Sequence, residues 1–408
     1  MRSTDSPQPR ALTRARSRIP ALDGIRGVAA LAVLFSHLLD VRPELAWTVY
    51  EPREQPDSLW GKVLTYTPLH VAWDGTSAVY LFYVLSGFVL AVPMFDASLA
   101  AWVRYFPRRL VRIYLPVFVS VGLGLGWMAL VPRVSRPGAG YWLNSHPSSV
   151  SPGDVLSDLL LFPTPGRING ALWSLKSEVV FSLTLPVYVL ALRKCRLRLG
   201  LPAVLALIVA GAWTNQPAAM FLPMFAVGVL LARDRDCLTT LGDRLSRRLP
   251  RSWGWLFLAL ALCLSSSYWM AAALPLRGSA GSAALALGRG GQVLGAALLI
   301  FLALSWRPAE RTLDSRPVQW LGARSFSLYL VQEPIVVSIA LLLPRPGDIV
   351  GVGAASLLAI WGATQAFYVL VERPSHQLSR RVARGWPFRR PLRRDRQPAL
   401  PARTGRPS

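Results

Sequence analysis

Ten apolar runs of 16 to 24 residues occupy this chain, at 19–39, 71–94, 113–131, 172–192, 199–214, 217–232, 253–274, 288–306, 323–343 and 348–371. A helix crosses a bilayer's hydrocarbon core with about 20 mostly apolar residues. In lipid each backbone N–H and C=O must be satisfied within its own segment, which makes such runs helices. The expected fold is therefore all-α, a polytopic membrane helical bundle of about ten transmembrane helices. The fifth and sixth runs are the shortest and suit a tight or tilted pair. Charge content agrees, since 16% of the 408 residues are charged against about 25% in a typical soluble domain. No stretch outside the runs is long enough for a soluble domain.

The net charge of +24 invites a nucleic-acid reading, but its distribution argues against one. Lys and Arg follow the helix boundaries. The flanks on one side of the expected membrane hold 34 of them and those on the other hold 9, alternating at every crossing. Basic residues accumulate on the cytoplasmic side, so both termini are expected in the cytoplasm. The chain then divides into a cytoplasmic tail at 1–18, a transmembrane domain at 19–374 and a basic tail at 375–408. That last segment has a disordered composition and a charge suited to anionic membrane lipids. The first eighteen residues are polar and Arg-rich, and no cleavage site follows, so a cleavable signal is not expected. Cys195 and Cys237 fall in basic flanks where thiols stay reduced, and Cys263 reads as a small buried residue. The four histidines lack metal-ligand spacing, so no metal site is expected.

Ionisable groups inside a membrane are costly and mark function by default. The first run reads IPALDGIRGVAALAVLFSHLL, with Arg26 and His37 eleven residues apart, about 16 Å along a helix. On the expected topology Arg26 lies in the inner half and His37 near the outer end. A histidine can take and return a proton at physiological pH, although an interfacial His is more often simply hydrogen-bonded. The third run is entered through RYFPRRLVRIYLP, which sets Arg108, Arg109 and Arg112 on one helix flank. The planar guanidinium fork suits phosphate, and ordinary positive-inside anchoring accounts for the cluster equally well. Glu178, in ALWSLKSEVVFSL, lies about 9 Å in from the outer boundary, a depth close to that of His37. A carboxylate there is expected to orient the imidazole, as in hydrolase triads. Pairing with Lys176 is disfavoured, because residues i and i+2 do not face each other. Gln332 and Glu333 are placed mid-membrane in RSFSLYLVQEPIVV, ahead of a Pro334 kink that frees carbonyls toward a cavity. Glu372 and Arg373 are expected to pair at the inner face. Two outer loops, 40–70 and 132–171, are rich in aromatics, among them Trp47, Tyr50, Tyr141 and Trp142. They suit either the floor of a binding site or interfacial anchoring.

With these residues in view, the chain resembles acyltransferase family 3, integral membrane O-acyltransferases that modify surface glycans and some antibiotics. The resemblance runs from about Ile19 to Pro374. It rests on LDGIRGVAALAVLFSH, LFYVLSGFVLA, RRLVRIYLP, LWSLKSEVVFSL, SFSLYLVQEPI and VERP, in the family's order. It implies an acyl-CoA donor, usually acetyl-CoA, taken from the cytoplasm, and an acceptor hydroxyl on the far side. His37 matches the family's essential histidine and Glu178 the first carboxylate of the fourth-helix motif. Arg26 matches the helix-one arginine, and Arg108, Arg109 and Arg112 the basic motif, so these four would bind the donor's phosphates. The chain departs from the pattern at Gln332, where the family usually has His. It departs also at Val179, Lys176, Ser182 and Tyr80. Ser86 and Gly87 look like packing residues that admit CoA closely.

The resulting expectation is an enzyme that transfers an acyl group from acyl-CoA to a hydroxyl of a carbohydrate or glycosylated small molecule outside the cytoplasmic membrane. His37 would act as general base or be acylated first as a relay. A transporter or flippase of lipid-linked sugars is the alternative, disfavoured by the lack of an internal repeat. A non-catalytic membrane partner of a glycan-synthesis complex is the third. The 42 Arg against 3 Lys suit a GC-rich bacterial gene, hence a bacterial cytoplasmic membrane. The acceptor, the acyl group and the oligomeric state are not legible.

Overall fold

The computed structural model describes residues 19–250, 252–345 and 348–385, and among them every regular element is a helix. In chain order these are α1 (Pro20–Leu39), α2 (Pro43–Tyr50), α3 (Leu59–Tyr66), α4 (Gly75–Ala91), α5 (Leu99–Leu130) and α6 (Tyr141–Asn144). There follow α7 (Pro152–Leu160), α8 (Trp173–Leu192), α9 (Leu197–Trp213), α10 (Pro217–Arg233), α11 (Arg235–Arg248) and α12 (Trp253–Ser265). The rest are α13 (Ser267–Ala272), α14 (Gly278–Ser305), α15 (Arg307–Leu313), α16 (Arg316–Leu342), α17 (Ile349–Phe367) and α18 (Arg373–Gly385).

Each of the ten expected runs falls on a helix, with informative differences. Six helices are long and apolar enough to cross a membrane: α1, α5, α8 with its leading turn, α14, α16, and α17 continued into α18. The α10–α11 pair passes only when taken together, bent by 68°, while α4, α9 and α12 are apolar but shorter. α5 begins fourteen residues before its apolar run. Ser98 caps it by accepting from the Ala101 N–H, and the basic stretch that follows has high helix propensity. The seventh run is broken at Ser266 between α12 and α13. The tail expected to be disordered from 375 opens instead with α18, and only the residues from 386 onward, like 1–18, lie outside the described ones.

α1 sits between the two halves of the core. Ala21, Leu22, Ile25, Ala29 and Val33 pack with α4, α10 and α14, whereas Ala30, Leu34 and Leu38 pack with α5, α16 and α17. α1 meets α16 backbone to backbone, since a Cβ on Gly27 would lie 2.6 Å from the Gly322 nitrogen. Small residues permit such close crossings between membrane helices. The register matters for function: α1 and α16 run parallel, so ten residues beyond the Gly27–Gly322 contact the chain brings His37 to Gln332. Gly87 packs likewise against Gly228 and the Phe225 carbonyl, where α4 crosses α10.

Candidate active site

Near the C-terminal end of α1, His37 Nδ1 lies 2.9 Å from Gln332 Oε1. An amide oxygen only accepts, so Nδ1 carries the proton and Nε2 keeps its lone pair. Trp142 of α6 stacks on the imidazole, with ring centroids 5.6 Å apart and planes at 18°. Next to Gln332, Glu333 is buried at 1% exposure. It accepts from His146 Nε2 at 2.7 Å and from the Gly170 N–H at 3.1 Å. His146 Nδ1 is 2.9 Å from the Trp142 carbonyl, which places a proton on that nitrogen. The 2.7 Å contact therefore holds a further proton, shared between His146 Nε2 and the Glu333 carboxyl.

In the connection between α5 and α8, a buried carboxylate organises the stretch that leads into Gly170. Asp158, fully buried, accepts from the backbone N–H groups of Gly166, Arg167, Ile168 and Asn169 at 2.6, 3.3, 2.9 and 3.4 Å. Arg133 holds the same stretch from the other side, donating to the carbonyls of Arg167 and Ile168. Asn169 is thereby aimed at α16, where its Nδ2 donates to the Leu330 carbonyl at 2.7 Å. Leu330 is the residue whose carbonyl Pro334 leaves without a helical donor. α16 continues through Pro334, and the freed carbonyl is taken by Asn169.

A second layer lies deeper. Glu178 pairs with Arg109 and accepts from Ser86 Oγ at 3.0 Å. Arg109 Nε also donates to Ser182 Oγ at 3.1 Å. Arg26 pairs with Asp23 at 3.4 Å. Arg26, Arg108 and Arg109 all lie within electrostatic range of Arg112, and so does Glu372. All four sequence-selected arginines thus gather around one region, with Glu178 among them.

That arrangement corrects two expectations. Glu178 does not orient His37; Gln332 does. Glu178 lies instead in the layer of the arginines, where Arg109 pairs with it. Glu372 turns inward to the Ser327 backbone and hydroxyl rather than pairing with Arg373, on a π-helical turn at Tyr368–Glu372. Such turns recur at functional sites. Gln332 and Glu333 lie within α16, which starts at Arg316, seven residues before its apolar run, and they stand beside His37 and His146. Lys176, as expected, leaves Glu178 and donates to the Pro163 carbonyl. Ser86, expected only to pack, also binds Glu178.

Sequence reasoning missed His146, Asp158, Asn169 and Arg133, and left Trp142 between the floor of a site and an anchor. The available signal was Glu333 itself, a membrane carboxylate in need of a partner. Arg289 was taken as a flank residue, yet α14 begins at Gly278, and the guanidinium lies inside the helix 3.6 Å over the Tyr268 ring.

A family model described as an acyltransferase domain matches residues 19–368. The chain belongs to acyltransferase family 3. Acyltransferase MdmB of Streptomyces mycarofaciens is 30% identical over 191 residues, which are 44% of this chain and 42% of that protein. The chain thus spans less than half the length of that relative. No solved structure matches it. The chain is accordingly a helical member of that family with helices long and apolar enough to cross a membrane, and its two layers are its candidate sites.

Proposed function

We propose that this acyltransferase moves an acyl group, acetyl as the working case, from cytosolic acyl-CoA to a hydroxyl of a glycan or glycosylated metabolite beyond the cytoplasmic membrane of a bacterium. In this reading ten helices cross the membrane and both termini are cytoplasmic. The observation that carries it is the His37–Gln332 contact, which leaves a lone pair on Nε2 while Trp142 fixes the ring. Nε2 takes the proton of the acceptor hydroxyl as its oxygen attacks the thioester carbonyl. The carbon–sulfur bond then breaks, and the leaving thiolate takes the proton back from the imidazolium. Gln332 holds the tautomer without charge, and the Glu333 carboxyl lies within electrostatic range of His37. Arg26, Arg108, Arg109 and Arg112 bind the CoA phosphates by charge-assisted hydrogen bonds. Glu178 is a positioning residue for Arg109, and the long thioester arm spans the distance to His37.

Acetyl-CoA binding to the detergent-purified protein tests the donor half. Wild type and His37→Ala are expected to bind, and an Arg108→Ala/Arg109→Ala double variant to lose at least tenfold in affinity. If no acyl-CoA binds to any of them, the enzyme reading fails and a transporter of lipid-linked sugars takes its place.

Glu178→Gln separates the two layers. Hydrogen bonds to charged groups contribute about 1.5–3 kcal/mol, so the KM for acyl-CoA is expected to rise tenfold or more, with kcat near wild type. Loss of uniform binding has that signature. A fall in kcat at unchanged KM would return Glu178 to the side of His37.

A further inference from the structure

Asp40 lies three residues beyond His37, just past the end of α1, and is only 5% exposed. Ser36 Oγ donates to its Oδ2 at 3.3 Å, while Oδ1 is buried with no hydrogen-bond partner among the described residues. A buried carboxylate with one oxygen left unmatched is costly, and burial pushes this one up to about 7. Something that supplies both a donor and a positive charge would complete it.

The surroundings fit such a ligand. The Tyr50 hydroxyl is within electrostatic range of Asp40 and Tyr141, with Ser145 beside it. Tyr141 stands edge-on to Tyr50 at 4.3 Å and to Trp47 at 5.9 Å. All three rings stay open to solvent, at 38% for Trp47, 40% for Tyr50 and 52% for Tyr141. The Trp47 indole N–H donates to Glu54. Across 40–57 the chain carries Asp40, Glu44, Glu51, Glu54 and Asp57 against Arg42 and Arg53, an acidic stretch in a protein of net charge +24. Aromatic faces backed by carboxylates attract ammonium groups. A neutral hydroxyl would satisfy Oδ1 but leave its charge uncompensated. Interfacial anchoring accounts for the rings alone, not for a buried carboxylate beside them.

We propose that Asp40, Trp47, Tyr50 and Tyr141 form an acceptor subsite for a protonated amine, so that the acceptor class is a hydroxyl-bearing amino sugar or its glycoside. The subsite adjoins the transfer centre on both sides of His37: Asp40 is one helical turn away, and Tyr141 precedes the Trp142 that stacks on the imidazole. The inference rests on the reading of His37 as the outer-face transfer site.

The test is calorimetric binding of two matched probes to the detergent-purified full chain: a methyl 3-dimethylamino-3-deoxyhexoside and the corresponding methyl hexoside. Wild type is expected to bind the amine at least tenfold more tightly. Asp40→Asn is expected to bring the two within about twofold. Tyr141→Leu, a substitution of an exposed ring, is expected to weaken the amine severalfold and supplies the same test should Asp40→Asn fail to fold. Equal binding of the probes by wild type, no binding of the amine, or a preference untouched by both variants overturns the subsite. Acetyl-CoA binding run in parallel keeps the failures apart. Its loss in wild type removes the transfer reading, whereas its presence without amine preference removes the subsite alone.

Discussion

His37→Ala is expected to lower acyl transfer by about 10²- to 10⁴-fold, the range a positioned general base contributes, while acetyl-CoA binding stays near that of wild type. At about 1.36 kcal/mol per decade this amounts to roughly 3–5 kcal/mol of transition-state stabilisation. The size follows from the geometry. Nε2 is the ring nitrogen with a free lone pair, because Nδ1 is committed to Gln332, and Trp142 stacks on the ring. Gln332→Ala is expected to fall between, since it frees the ring to turn and to adopt the other tautomer, yet leaves the imidazole in place. Turnover of labelled acetyl-CoA with acceptor measures both. An alanine variant at 37 retaining more than a tenth of wild-type kcat would remove His37 from the chemistry. Rapid-quench trapping then distinguishes base from relay: a labelled acyl-enzyme in wild type that vanishes in His37→Ala establishes the relay, with the acyl group resting on Nε2 between two displacements.

Much of the frame was legible because it depends on local pattern. Each apolar run of helical length fell on helical structure, six of the helices being long and apolar enough to cross a membrane, and motif spacing singled out Arg26, His37 and the arginine cluster. Helix ends were less legible, because polar residues continue a helix wherever a cap such as Ser98 lets them. Long-range partners were least legible. His37 meets Gln332 only because Gly27 and Gly322 let α1 and α16 approach in one register. No local pattern announces that crossing. His146 meets Glu333 across 187 residues of sequence. The Gln332 departure from the family pattern looked like a lost histidine. In the fold it keeps the one function that position needs, a fixed acceptor for Nδ1–H.

Asp158→Ala is expected to cost several kcal/mol of stability and most of the activity together. Its carboxylate accepts four backbone N–H groups in a fully buried site, and each buried donor left unmade costs about 1–3 kcal/mol. Arg133, 4% exposed and within electrostatic range of Asp158, would keep its charge with one fewer counter-charge nearby, which adds to the loss. Asp158→Asn keeps one acceptor oxygen and is expected to lie between wild type and alanine. Asp154→Ala in the same loop is the contrast: it removes half of an exposed capping box with Ser151, worth about 1 kcal/mol. Thermal unfolding in detergent should therefore order the chains as wild type, Asp154→Ala, Asp158→Asn and Asp158→Ala from most to least stable. Activity should follow a different order below the unfolding transition. Asp154→Ala should retain it, whereas both Asp158 variants should lose kcat, because Asn169 and Gly170 no longer hold the Leu330 carbonyl and Glu333 beside His37. If Asp158→Ala unfolds within a degree or two of Asp154→Ala, the loop is not held by its carboxylate, and the placement of Glu333 must come from α16 alone.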